Sequence, residues 1–300
     1  MADDILRPFG ELDVLPLYAA ASSFLGSFLL DREIASRVWL EHRTLLNRGS
    51  LLAPLRAHEL AIVKQDPLKL RVKATLKEAR ESLTPLEQKI WRYFPPRKLC
   101  DYFYATNYEG QGKEIDRIFY DIDRPADMPH VKAREVTQLL LEAIEIDDAI
   151  HQIMRDQPFV AWTGSSFHVY LFLRQKQKRD FYTEQIQFTE KDPGKGLTAK
   201  WIRYVRDKTK VRVIEGHEKK LEFITIDPSQ TPSGKLASSP VGSLHMKDYR
   251  TVDGISLPIE NDRLTDPHLT DELREYSPNR VFAELSQLSK LLNGETGTNK

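Results

Sequence analysis

Ile118-Phe119-Tyr120-Asp121-Ile122-Asp123-Arg124-Pro125 is the stretch on which the reading of the whole chain turns. Its β-branched and aromatic residues predict a buried strand. Because side chains alternate along a strand, Asp121 and Asp123 leave one face and Ile122 the other. Two neighbouring carboxylates repel and shift each other's proton affinity unless a positive charge stands between them, and a divalent metal is the usual solution. A strand ending in Asp-x-Asp is therefore a candidate metal site. The competing reading is a turn in which the aspartates satisfy backbone groups and Arg124 neutralises a neighbour. The stretch by itself does not choose between them.

Composition narrows the class. The 300 residues, 40% hydrophobic and 29% charged, are enough for one large or two small domains with a substantial core. Mean hydropathy is −0.48, and no apolar run reaches the roughly 20 residues of a membrane span. Leu12 to Leu30 comes nearest, but Asp13, Pro16, Ser22, Ser23 and Ser27 suit a buried helix better. No basic segment precedes it, so no signal peptide is expected. Cys100 is the single cysteine, which excludes an internal disulfide and any cysteine-cluster zinc or iron-sulfur site, and a reducing cytoplasm is the expected setting. The 44 basic and 44 acidic residues cancel, so attraction to nucleic acid must come from a local patch.

From Leu12 to Leu99 the periodicity predicts a mostly helical region, with segments over Leu15–Leu30, Arg32–Leu46, Leu51–Val63 and Leu83–Tyr93. Thr84-Pro85-Leu86-Glu87 has the form of a helix start, with a capping threonine, a first-turn proline and a glutamate. After Pro96 the character changes. Aromatic-rich Leu99 to Tyr108 leads through Glu109-Gly110-Gln111-Gly112, a turn, into the Asp-x-Asp strand. Lys132 to Met154 carries a helical stripe. Thr163-Gly164-Ser165-Ser166 forms a turn before a strand over Phe167 to Leu173, on which His168, Tyr170 and Phe172 share a face. Leu221 to Ile226 is a strand closed by Asp227-Pro228. A polar loop follows, then Val241-Gly242-Ser243-Leu244-His245-Met246-Lys247, and from Ser277 a last helix. The expected organisation is a helical region over 1–95 packed on the core, a catalytic domain over 96–292 and a disordered tail over 293–300.

Three polar features thus stand in order: the Asp-x-Asp strand end, a Gly-Ser turn leading to His168, and a strand ending at Asp227. Nucleotidyl transfer needs such a set. Three carboxylates hold two divalent ions, one lowering the pKa of an attacking hydroxyl and one bracing the departing pyrophosphate, while turn donors and a histidine grip the triphosphate.

In this order the motifs resemble those of the archaeo-eukaryotic primase superfamily, which carries an Asp-x-Asp motif, a Ser/Thr-Gly…His motif before an apolar strand, and a third aspartate on a strand. Asp121 and Asp123, Thr163 to His168, and Asp227 in Ile224-Thr225-Ile226-Asp227-Pro228 are the counterparts. Val241 to Lys247 is similar to the Pro-Gly-Ser-Leu-His-Gly-Lys segment of archaeal primase small subunits, and Tyr102 to Tyr108 to their aromatic segment. Pro232-Ser233-Gly234-Lys235 and Ser239 to Ser243 match the polymerase domains of bacterial end-joining ligases more loosely. The resemblance covers about Leu99 to Pro258. It implies an α+β fold with an RRM-like mixed sheet flanked by helices, Mg2+ or Mn2+ as a two-ion cofactor without zinc, and template-directed addition of nucleotides.

On that resemblance Asp121, Asp123 and Asp227 are the catalytic metal ligands. Ser165, Ser166, His168, His245 and Lys247 bind the nucleotide. Lys200, Arg203 and Arg206, with Trp201 and Tyr204 interleaved for base stacking, track nucleic acid; the same run also reads as an ordinary helix with a solvated basic face. The sequence departs from the family at Ser165 and Ser166, where a basic residue is common, and at Ser239, where archaeal small subunits have arginine.

The implied partners are a DNA template-primer, nucleoside triphosphates, and a primase large subunit or a ligase. Gly242-Ser243-Leu244-His245 favours a primase role, with gap filling at double-strand breaks as the rival. A non-catalytic nucleic-acid-binding relative is the reading from another class. Retention of three acids argues against it, since buried carboxylates are costly without a compensating charge.

Overall fold

A computed structural model of the chain describes residues 13–29, 31–49, 54–63, 75–108, 114–187, 196–216 and 222–292. In chain order the principal elements are α1 (Leu15–Phe24), β1 (Glu33–Trp39), β2 (Thr44–Asn47), β3 (Leu55–Arg56), α2 (Pro85–Tyr93), β4 (Cys100–Ala105), β5 (Ile115–Asp123), α3 (His130–Glu145), β6 (Phe159–Trp162), β7 (Phe167–Gln177), α4 (Leu197–Lys208), β8 (Arg212–Glu215), β9 (Phe223–Asp227), β10 (Leu236–Ser238), β11 (Leu244–Met246), β12 (Val252–Ile255), β13 (Leu257–Ile259) and α5 (Pro278–Leu292). The expected turn at 109–112 and the tail from 293 lie outside the described residues.

Two compact units emerge. One takes the described residues up to Tyr104 together with Ser238–Leu257 and those from Tyr276; the other takes Ala105–Ala237 and Pro258–Glu275.

In the first unit the expected helix over Arg32–Leu46 is instead two strands. β1 pairs antiparallel with β2, with β3 and, from Ile34↔Tyr104 to Val38↔Cys100, with β4. Ile34 and Val38, four apart, fit a helical stripe as well as one strand face, and short apolar runs of this kind do not distinguish the two. The partner strand, more than 60 residues downstream, decides it. Over Leu51–Val63 the described residues likewise form β3 and a short helix, Ala57–Ala61.

α1 and α2 form as predicted. Thr84 caps α2 reciprocally with Glu87: the Glu87 amide donates to Thr84 Oγ1 at 3.3 Å, and the Thr84 amide donates to Glu87 Oε2 at 2.8 Å. The core gathers Tyr18, Phe94 and Tyr102, whose ring centroids lie 5.1–6.0 Å apart.

Polar bonds in that core fix the Gly-Ser-Leu-His segment. The Tyr102 amide donates to Ser243 Oγ at 3.1 Å, and the Leu244 amide donates to the Tyr18 hydroxyl at 3.3 Å. Gly242 has φ +76°, in the left-handed region.

The second unit is built on a sheet of order β13-β6-β7-β5-β9-β8. β5 pairs antiparallel with both β7 and β9, and β8 pairs parallel with β9. One face is covered by helices. Tyr120 meets Trp201 of α4 at 5.8 Å between centroids, and Trp162 meets His130 of α3 at 5.7 Å. Tyr120, Ile122, Val169, Phe167, Ile226 and Trp162 point to that side and are buried. The Tyr120 hydroxyl pairs with Thr198 Oγ1 at 3.0 Å, and burial holds its pKa above the usual phenol range. The opposite face carries Asp121, Asp123, His168, Tyr170 and Asp227.

Candidate active site

Strand pairing brings together residues that are far apart in the chain. Asp121 lies directly opposite Asp227 on β9 and His168 on β7, and Asp123 lies opposite Thr225. Directly paired residues project to the same face with Cα atoms roughly 5 Å apart. Asp121, Asp123, Asp227 and His168 are therefore neighbours on the face opposite α3 and α4.

Their surroundings differ. The Asp121 side chain is 30% exposed and faces His168 Nε2 at 3.4 Å. Asp227 is buried, at 5% exposure, and both of its oxygens are used. Oδ1 accepts the Ser229 amide at 2.9 Å and Oδ2 accepts the Ser229 hydroxyl at 2.6 Å. Ser229 thus satisfies a carboxylate whose burial the sequence argument attributes to a metal. The signal was present in Asp227-Pro228-Ser229, an Asx-turn pattern. Tyr182, close enough to feel Asp227, has its hydroxyl pKa pushed up by burial and further by that negative charge, so it stands there as a neutral phenol.

The Ser turn is locked to the end of β5. Gly164 adopts φ +96°. The Ser166 amide donates to Thr163 Oγ1 at 2.9 Å, and the Ser166 hydroxyl donates to the Ile122 carbonyl. That proton is committed to the backbone, so Ser166 offers an approaching phosphate no free donor. Arg124 serves carbonyls. Its Nε donates to Ser165 O at 3.0 Å, and Nη1 donates to Pro125 O at 3.0 Å, Ala126 O at 3.0 Å and Met128 O at 2.6 Å. Nη2 reaches Ser165 Oγ at 3.3 Å and contacts His130. A planar guanidinium with five donors can hold two loops in register in this way.

His245 and Lys247 belong to the other compact unit, in and just after β11; His245 Nδ1 lies 3.6 Å from Asp253 Oδ2. Lys200, Arg203 and Arg206 are on α4, which covers the opposite face of the sheet from the acids. Lys200 pairs with buried Asp147 at 3.0 Å, and Arg206 with Glu215 at 3.1 Å. Trp201 is 1% exposed and donates to Asp147 Oδ2 at 2.8 Å, so the base-stacking role read from its interleaving with the basic residues does not hold.

Among the described residues no three His, Cys, Asp or Glu side chains converge closely enough to enclose a metal ion. The donor types nevertheless suit one. Asp121, Asp123 and Asp227 are hard oxygen ligands on one face, and an ionised carboxylate keeps acceptor capacity beyond the bonds described. Among the same residues no helix is long and apolar enough to cross a membrane.

The architecture defines an α+β protein whose mixed sheet is covered by helices on one face and carries acids on the other. Within that class the fold is similar to the polymerase domain of Mycobacterium tuberculosis Ligase D, solved in complex with DNA, with a TM-score of 0.58 and 14% identity over 94% of this chain and 90% of that one. At that identity the likeness is one of fold, and it meets the α+β expectation. No family model matches the sequence, and no curated protein sequence matches it.

Proposed function

We propose that this chain is a metal-dependent nucleotidyltransferase that extends a strand on a DNA template, with the catalytic portion read by resemblance from 96–292. The observation that carries the reading is the pairing of Asp121 with Asp227, with Asp123 and His168 on the same face. Asp121, Asp123 and Asp227 would hold Mg2+ or Mn2+. When bound, such ions supply Lewis-acid activation of a hydroxyl and charge neutralisation at a leaving pyrophosphate.

The chain's own residues provide placement. Partly exposed Asp121 faces the substrate side, and buried Asp227 is braced by Ser229. His168 presents a ring nitrogen beside Asp121, and the Ser165-Ser166 turn, tied down by Arg124, shapes the edge of the site. Ser165 and His168 are the proposed contacts to the nucleotide. For Ser166 the role is limited to shaping the turn.

Two uses of the reaction are open to it. Gly242-Ser243-Leu244-His245 supports priming, and the likeness to a ligase polymerase domain supports filling gaps at broken ends. Labelled nucleoside triphosphate, Mn2+ and a template offered with and without a primer separate the two. Product from the bare template indicates priming, and product only at a gap with a downstream 5′-phosphate indicates end joining. Asp121→Asn and Asp227→Asn are expected to reduce incorporation to background while circular dichroism stays native. Full activity in either variant overturns the assignment, and an inactive wild-type chain leaves the non-catalytic reading.

A further inference from the structure

On the face of β1 opposite buried Ile34, Ser36 and Val38, Arg37 stands between two rings. Its guanidinium carbon lies 5.1 Å from the Trp39 centroid and 5.1 Å from the Phe103 centroid. Asp101, directly opposite on β4 and 2% exposed, anchors the pair: Oδ2 accepts Arg37 Nε at 2.5 Å and Trp39 Nε1 at 3.0 Å. Only Nε of the guanidinium is used in this way. Nη1 and Nη2 make no hydrogen bond to the described residues, and the side chain is 42% exposed. Two aromatic neighbours and a buried carboxylate thus fix the plane of the guanidinium and leave its remaining donors for a ligand.

Further cations gather around Trp39. Arg43 closes the turn between β1 and β2, where its carbonyl accepts the Leu40 amide at 2.9 Å, and it precedes Thr44, the β2 partner of Trp39. Lys98 precedes Leu99, whose carbonyl accepts the Trp39 amide at 2.9 Å, and Arg97 precedes Lys98. Arg43, Arg97 and Lys98 are exposed, and no described carboxylate pairs with them. Buried Asp101 and exposed Glu41 stand against these three and Arg37, so the local balance is positive in a chain whose total is zero. On α4, by contrast, Lys200 and Arg206 are each taken by an acid.

We propose that this surface binds single-stranded nucleic acid, with one phosphate on the Nη donors of Arg37, neighbouring phosphates on Arg43 and Lys98, and a base stacked on Trp39. A planar guanidinium suits phosphate bidentately, and a ring set among cations is how single strands are held without sequence preference. The use of the surface in catalysis rests on the nucleotidyl-transfer reading; the binding itself does not.

Trp39 is half-buried, whereas Trp91, Trp162 and Trp201 are buried, so stacking on Trp39 is visible in the intrinsic fluorescence. Oligodeoxythymidylate titrated in the presence of EDTA is expected to quench that fluorescence, and the quench is expected to vanish in Trp39→Phe. Arg43→Ala combined with Lys98→Ala leaves the Arg37–Asp101 pair intact. It is expected to flatten the slope of log affinity against log salt by about 1.4, at about 0.7 per phosphate contact of a single strand. Arg37→Lys keeps a charge beside Asp101 but loses the fork, and is expected to weaken binding about tenfold, the value of one hydrogen bond to a charged group.

Absence of the quench in the wild type overturns the proposal, as does an unchanged salt slope in the double variant with native circular dichroism. Polyglutamate binding as tightly as the oligonucleotide also overturns it, marking a surface for an acidic protein, and so does tighter binding of a blunt duplex. A wild type that binds and quenches as expected but incorporates no nucleotide refutes the proposed function and leaves this surface standing.

Discussion

Replacing Asn107 with Ala tests how the catalytic strand is held in place. Asn107 is fully buried and makes four hydrogen bonds through one side chain. Nδ2 donates to Arg117 O at 2.8 Å and to Thr231 O at 2.5 Å. Oδ1 accepts the Asp116 amide at 2.9 Å and the Arg117 amide at 3.2 Å. Three of these contacts fall on the first turns of β5, upstream of where it pairs with β9. The fourth fixes Thr231, whose hydroxyl accepts the Phe119 amide at 2.9 Å and donates to Phe119 O at 3.1 Å. Asn107 and Thr231 together act as a substitute partner strand for β5 just before the Asp-x-Asp end.

The magnitude follows from those bonds. At a net ~1 kcal/mol per buried hydrogen bond the deletion costs about 4 kcal/mol. A water entering the polar cavity restores part of that, so about 3 kcal/mol is expected. Urea unfolding followed by circular dichroism measures the loss, and hydrogen exchange at the Asp116 and Arg117 amides reports it locally. A destabilisation below about 1 kcal/mol, with both amides still protected, refutes the idea that this side chain carries the register of β5.

Other outcomes follow from the same structure. Arg124→Lys replaces five directed donors by a point charge, and is expected to lower thermal stability and to reduce any nucleotide incorporation, both measurable on one preparation. The Asp147 carboxyl is held below the usual carboxylate range: burial works to raise its pKa, but the bonds from Lys200, Trp201 and the Ala149 amide outweigh burial. Its contribution to stability is therefore present above the unfolded-state value and lost as pH falls through the folded one, so Asp147→Asn is expected to flatten the acid limb of a stability-versus-pH curve. Gly242→Ala meets only ordinary contacts, 3.6 Å from Ala21 Cβ, but must adopt φ +76°. A loss of about 1 kcal/mol in thermal unfolding is expected, and none at all would show the backbone relaxing out of the left-handed region.

Sequence alone determined the elements whose signals are local. Thr84-Pro85-Leu86-Glu87 contains every group of its capping box within four residues, so α2 was readable directly. The β5 strand declared itself through the β-branched and aromatic residues Ile118, Phe119, Tyr120 and Ile122, and alternation along it fixed which residues share a face with Asp121. The order of the three acidic and histidine motifs was legible for the same reason: side-chain chemistry is written in the chain.

What tertiary structure decided depends on partners distant in sequence. Ile34 and Val38 fit a helix or a strand, and pairing with β4 settled it. Trp201 looked like a base-stacking residue until Asp147, more than 50 residues away, took its indole donor. Arg124 became a carbonyl hub because the Ser165 turn folds against it. Whether Asp227 would face Asp121 could not follow from either strand, because register is a property of two segments and costs loop-closure entropy that only the assembled core offsets.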